Sequence, residues 1–252
     1  MKLVRGLATL GILALTVAAL AGCGGSGDVL RVGTEATFPP FEFTDDDENI
    51  IGFDIDIIEY IAEDNGWEIE VVHLPFDTLV DTLAAGQLDI VIAGMTIDPE
   101  RQESVLFSDP YYDASQVMVV REDESRNFDV EDLPDGDFIV AVQMGTTGAL
   151  EAADIMGDEN HPNLKQYRRV NEAFMELKNG RADVVIIDEP VAKNYIQQLG
   201  GMKVYGAPFT DEQFGIAVQL DNEEMAEKIN ASLDKMKSSG HYDDLISKWF
   251  ED

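Results

Sequence analysis

Arg101, Asp188 and the neighbouring Thr146 and Thr147 are residues whose types and placement suit recognition of a small charged molecule. Arg101 carries a planar, permanently charged fork that matches a carboxylate; it can grip one bidentately or serve as one more surface cation. Thr146 and Thr147 fall at the start of an expected helix. Free backbone N–H groups and the helix dipole favour an anion there, although threonine is also an ordinary helix-start residue. Asp188 ends an apolar run, where it either faces a cation or caps a helix beginning at Glu189. Gly94 and Thr96 offer a backbone carbonyl and a hydroxyl as acceptors.

The same inventory argues against catalysis. The sequence presents no Ser/His/Asp set, glycine-rich phosphate loop or cysteine nucleophile. His73, His161 and His241 are scattered without metal-ligand spacing, so neither a metal nor a cofactor is expected. Fifty acidic residues stand against 17 basic ones in 252, a formal net charge of -33. Such a field repels phosphates and disfavours a nucleic-acid partner. The acids are spread along the chain, as in Asp45-Asp46-Asp47-Glu48, Glu122-Asp123-Glu124 and Glu223-Glu224. That spread reads as a solvated coat of the kind suited to high salt rather than as a trap for cations.

The elements that must carry these residues alternate. Strands are expected at Val29–Gly33, Trp67–Val72, Leu88–Ala93, Phe138–Val142, Ala182–Ile187 and Phe214–Gln219. Helices are expected at Asp54–Asp64, Asp77–Ala85, Thr146–Ala153, Asn171–Asn179 and Glu189–Leu199. Two more follow, separated by Gly240. One carries the stripe Met225, Ile229, Leu233 and Met236, and the other Tyr242, Leu245, Ile246 and Trp249. This alternation argues for an α/β class with parallel sheets. The apolar run Val117–Val120 lies between two such sets and reads as a connecting strand.

At the N-terminus, Lys2 and Arg5 precede an apolar, small-residue run from Leu7 to Ala21, the shape of a secretory signal. The run ends Leu20-Ala21-Gly22-Cys23, which resembles a bacterial lipobox, and Cys23 is the single cysteine of the chain. A signal over 1–22, lipid attachment at Cys23 and a flexible tether over 23–27 are therefore expected, with the mature protein held on the outer face of a membrane. A retained anchor or a plain signal peptide is the alternative.

Further along, Gly52-Phe53-Asp54-Ile55-Asp56-Ile57-Ile58-Glu59-Tyr60-Ile61-Ala62 resembles the signature of the family 3 extracytoplasmic solute-binding proteins, the polar amino-acid binders of ABC importers. Other segments resemble the same family in the same order. They are Gly33 to Glu42, Ala93-Gly94-Met95-Thr96-Ile97-Asp98-Pro99-Glu100-Arg101, Gly145-Thr146-Thr147, Ile187-Asp188-Glu189 and the ending from Gly240 to Phe250. The resemblance covers essentially all of the mature chain. It implies a two-lobed fold of the periplasmic-binding-protein type II class with a ligand cleft and two interlobe crossovers. Lobe one would be 28–116 plus 214–252, and lobe two 117–213.

The resemblance also implies roles. Arg101 and the N–H groups near Thr146 and Thr147 would hold an α-carboxylate; Asp188, the Gly94 carbonyl and the Thr96 hydroxyl would hold the α-ammonium. Phe38 and Phe76 match positions whose rings sandwich the ligand side chain, which for a guanidinium contributes about 0.5–2 kcal/mol of cation–π attraction. Glu35 matches a position near the distal end of the ligand. A carboxylate there suits arginine, lysine or ornithine, arginine first, and repels acidic ligands; glutamine stays open. The partners implied are an amino acid and an ABC permease, with the protein a monomer. Two other classes share the fold: cyclohexadienyl dehydratase-like enzymes, for which Glu35 or Glu189 could serve as the acid, and ligand-sensing domains.

Overall fold

The computed structural model describes residues 29–251. The expected signal, Cys23 and the tether lie outside the described residues. Two five-stranded sheets form the frame. The first runs in the order Ile69–His73, Leu30–Thr34, Ile90–Val91, Ala217–Gln219, Val105–Phe107. The second runs Leu164–Tyr167, Val140–Gln143, Val184–Asp188, Gln116–Arg121, Met202–Tyr205.

The sheets are mixed rather than parallel. In each, three strands pair in parallel through helical crossovers, and the last two pair antiparallel. The antiparallel strands are those contributed where the chain passes between the sheets. Alternating apolar runs could not show that direction, because parallel and antiparallel strands buried on both faces read alike.

Val117–Val120 is not a connector. It lies inside Gln116–Arg121, between two strands of the second sheet, and is buried throughout. The passages between sheets are instead Tyr112–Ala114 and Glu212–Phe214, which pair antiparallel to each other. The strand expected over Phe214–Gln219 is accordingly two pieces, Glu212–Phe214 and Ala217–Gln219.

Helices cover the sheets as their periodicity requires. Phe53–Asn65 buries Ile57, Ile58 and Ile61 completely, and Glu223–Ser239 buries Ile229, Leu233 and Met236. Burying an Ile or Leu side chain contributes about 1.5–3 kcal/mol each. Gly240 ends that helix in a left-handed conformation, and His241–Phe250 follows.

An aromatic cluster ties this last helix to the passages. Phe41 meets Tyr112 at 4.9 Å and both Phe214 and Phe250 at 5.3 Å between ring centroids. Phe53 and Tyr112 each lie 5.0 Å from Phe250. Most of these pairs are edge-to-face, the arrangement ring quadrupoles favour.

Candidate functional site

Between the sheets lies a narrow cavity lined by Phe38, Phe76, Gly94, Thr96, Arg101, Gln143, Thr146, Thr147 and Asp188. Eight of the nine ligand-site residues expected from the sequence thus meet in one place. The ninth, Glu35, is not on the wall but stands directly behind it. Its Oε2 accepts hydrogen bonds from Thr37 Oγ1 at 2.7 Å and from the wall residue Gln143 Nε2 at 3.2 Å.

Arg101 opens a short 3-10 turn, Arg101–Glu103, that follows Asp98-Pro99. Asp98 Oδ1 accepts from the backbone N–H of Glu100 at 2.9 Å and of Arg101 at 3.2 Å, which fixes the turn. The guanidinium then reaches both sides of the cavity. Nη1 donates to the Thr96 carbonyl at 2.8 Å and Nη2 to the Gly145 carbonyl at 3.0 Å. Its central carbon lies 5.3 Å from the centre of the Phe76 ring. Arg101 is therefore held by the cleft and is not a free surface cation. Phe76 serves both readings, as a core aromatic packed beside Leu79 and as a cavity wall.

Thr146 is the N-cap of the helix Thr147–Met156. Its Oγ1 accepts from Ala149 N at 3.2 Å and donates to the Gln143 carbonyl at 2.8 Å. That hydroxyl is committed to the cap, so what this corner offers an anion is the open N-terminus of a ten-residue helix. Thr147 Oγ1 instead donates across the cavity to Thr96 Oγ1 at 2.9 Å, and Thr96 Oγ1 donates on to Glu212 Oε2 at 2.7 Å.

Asp188 occupies the cap position of the helix Glu189–Leu199, yet its side chain accepts no cap hydrogen bond. It is buried, and its Oδ1 has no hydrogen-bond partner among the described residues. Burial first, and the nearby Glu212 second, push its carboxyl up to about 8, while Gln116 and Arg101 pull the other way. Burial likewise raises Glu35. Three buried carboxylates, Glu35, Asp188 and Glu212, therefore surround a cavity whose one lining cation is Arg101.

Gly94 sits at φ +52, and a Cβ there would fall 2.9 Å from the Phe38 ring. Its N–H donates to Asp54 Oδ2 at 2.7 Å.

Sequence reasoning missed Gln143 and Glu212. Gln143 ends a buried strand, where a polar residue among Val140, Ala141 and Val142 is a signal in hindsight. Glu212 lies in a passage strand with no periodicity to mark it, and only its partners Thr96 and Thr210 reveal it.

The model for bacterial extracellular solute-binding proteins, family 3, matches residues 30–252. A probable histidine-binding protein of Neisseria gonorrhoeae is 35% identical over 254 residues, covering 94% of this chain and 93% of that protein. An ancestral arginine-binding protein solved with arginine is 43% identical at a TM-score of 0.83, covering 88% of this chain and 98% of its own. An ancestral arginine-binding protein solved with glutamine is 42% identical at a TM-score of 0.83, covering 89% of this chain and 98% of its own. The two mixed sheets with two strand passages are the α/β type II arrangement of periplasmic binding proteins.

Proposed function

The chain belongs to the bacterial extracellular solute-binding proteins, family 3, and from that premise we propose that it captures a free basic amino acid, arginine first, outside the cytoplasmic membrane and delivers it to an ABC permease by closure of its lobes. The observation that carries the reading is the charge balance at the cavity: three buried acids, Glu35, Asp188 and Glu212, around a lining whose one cation is Arg101, with Arg169 acting on Glu35 from outside that lining. Arg101 neutralises the ligand carboxylate. The carboxylates left over call for an ammonium and a second cationic group, and buried charges persist only when paired. The histidine-binding and arginine-binding relatives agree with a basic ligand.

In this reading Arg101 and the N-terminus of Thr147–Met156 hold the carboxylate. Asp188, the Gly94 carbonyl and the Thr96 hydroxyl hold the ammonium. Phe38 and Phe76 flank the side chain, and Glu35 faces its charged end. Lobe one comprises 28–116 and 214–252, and lobe two 117–213. Tyr112–Ala114 and Glu212–Phe214 are the hinge strands. Cys23 carries the lipid, and the protein works as a monomer on the outer face of the membrane.

Glutamine is the second reading, because one observation favours it. The Gln143 amide already satisfies Glu35 at 3.2 Å, so a ligand amide could take the same place. Ancestral arginine-binding relatives are solved with glutamine as well as with arginine.

A thermal-shift scan of the twenty amino acids separates these. Ligand at 100 times its dissociation constant adds about 2.7 kcal/mol to a protein that binds it only when folded. A shift with arginine or lysine upholds the basic ligand, a shift with glutamine alone replaces it, and no shift with any amino acid refutes both.

A further inference from the structure

Glu42 and Asp54 lie beneath the cavity floor, both with zero exposure. Neither is among the ion pairs of the described residues. The two carboxyls face each other closely enough that each perturbs the other's titration. Asp54 Oδ2 accepts from Gly94 N at 2.7 Å and from Tyr111 Oη at 2.8 Å. Asp54 Oδ1 and both oxygens of Glu42 have no hydrogen-bond partner among the described residues. Two ionised carboxylates in contact, with no donor between them and no cation beside them, would repel strongly at this depth. One proton resolves every atom: placed on Glu42 and donated to Asp54 Oδ1, it leaves Asp54 ionised to accept the Gly94 and Tyr111 bonds.

We propose that Glu42 and Asp54 form a one-proton carboxyl pair that positions the Gly94 peptide, and through it the Gly94–Phe38 face of the ligand cleft. Asp54 is the positioning residue and Glu42 the proton that keeps it in place. This rests on reading the cleft as the amino-acid site. It also gives Asp54, in the helix that marks the family, a task that amphipathic packing does not require.

The other titratable groups facing the pair all discourage a second negative charge or are neutral. Glu35 follows the strand Leu30–Thr34, Asp188 ends a strand of the second sheet, and Tyr111 precedes Tyr112–Ala114. Burial and Asp54 hold the Glu42 carboxyl well above the ordinary range, and burial raises Asp54 to about 6. The pair thus keeps one proton at neutral pH. Losing it at alkaline pH sets two charges against each other and releases Gly94.

The test compares arginine affinity by calorimetry in the mature wild type and in Glu42→Gln between pH 5 and 10. Gln donates the same hydrogen bond and cannot titrate. Because Asp188 and the ligand titrate identically in both proteins, the ratio of affinities isolates Glu42. The ratio should be near one at neutral pH and favour Glu42→Gln by tenfold or more at the alkaline end. Parallel profiles would overturn the proposal.

A readout without ligand separates failure of this inference from failure of the binding reading. Glu42 releases its proton on unfolding at neutral pH, so wild-type stability should fall as pH rises from the unfolded carboxyl value through the folded one. Glu42's share of that fall approaches tenfold in the folding equilibrium per pH unit, so the Glu42→Gln profile should be less steep by that amount, the share of Asp188 and the other raised carboxyls remaining. Matching melting profiles would refute the shared proton even if no amino acid bound. Should Glu42→Gln not fold, Tyr111→Phe serves: removing a donor to ionised Asp54 raises that carboxyl further, so the fall of stability with rising pH should extend to higher pH, and an unmoved profile would overturn the assignment.

Discussion

Thr147 donates its hydroxyl hydrogen to Thr96 across the cavity at 2.9 Å, and this bond joins the start of a second-sheet helix to a residue beside the first sheet. Thr96 passes its own hydrogen to Glu212 on a passage strand, and Glu212 Oε1 accepts from Thr210, whose Oγ1 accepts from Gln116 N at 2.7 Å. The bond across the cavity is thus connected to the passage strand Glu212–Phe214 and to the start of the second-sheet strand Gln116–Arg121. Thr147→Val should weaken arginine binding about 2- to 10-fold, the worth of one hydrogen bond of about 0.5–1.5 kcal/mol. In a double-mutant cycle with Thr96→Val the losses should fall short of additive; calorimetry of the four proteins decides it.

Arg101→Ala should weaken binding by about 30- to 5,000-fold, since a buried ligand carboxylate left unpaired costs about 2–5 kcal/mol. Arg101→Lys should recover only part of it. An ammonium cannot reach the Thr96 and Gly145 carbonyls and still present a planar fork. Titration calorimetry with arginine checks both.

Asp188 predicts proton release on binding. A ligand ammonium favours its ionised form, so arginine affinity should rise with pH up to about 8, by as much as tenfold per unit below it. In the ligand-free protein the sign is opposite. A carboxyl raised by folding makes stability fall as pH climbs from the unfolded value near 4 to about 8. Asp188→Asn should remove the slope in affinity and Asp188's share of the slope in stability, leaving that of the other raised carboxyls. Calorimetry in buffers of different ionisation enthalpy counts the protons.

Glu35→Gln should lower arginine affinity about 10-fold or more while leaving glutamine affinity equal or higher. Removing the carboxylate removes an attraction for a cation and none for an amide. Paired competition measurements with the two amino acids read the change directly.

Gly145→Ala should impair closure with little harm to either sheet's core. Gly145 lies at φ +77, and a Cβ there would fall 2.9 Å from the Asp77 Cα, which is backbone from the other side of the cavity. Affinity should drop at least about 10-fold. The ligand-free melting temperature should change only by the cost of that strained backbone, about 1 kcal/mol.

Much of the frame was legible in the chain. The 3.6-residue stripes at Ile57-Ile58-Ile61 and Ile229-Leu233-Met236 encode buried helix faces, and those faces are buried. Strand direction was not legible, because a run such as Val117–Val120 is equally apolar beside a parallel or an antiparallel neighbour. The passage strands were missed because Tyr112–Ala114 and Glu212–Phe214 are three residues each, too short for any period to register. Gln143 and Glu212 escaped for a related reason: a polar residue's task is set by what faces it, and the residues facing these two lie 108 and 116 positions away.

By itself the sequence determined the alternation of elements, the acidic coat, the export-like N-terminus and the candidate residues Glu35, Phe38, Phe76, Gly94, Thr96, Arg101, Thr146, Thr147 and Asp188. The elements and the coat depend on local periodicity and side-chain chemistry, which are written residue by residue; Glu35, Phe38 and Phe76 are candidates through the resemblance to the family. Only the tertiary structure decided that eight of these line one cavity while Glu35 stands behind the wall, hydrogen-bonded to Gln143. It also decided that Asp188 is a buried carboxyl near 8 rather than a helix cap, and that Glu42 meets Asp54 beneath Gly94. The physical reason is that desolvation and carboxyl–carboxyl repulsion depend on distance and burial. Both quantities come into existence when segments remote in sequence pack against one another.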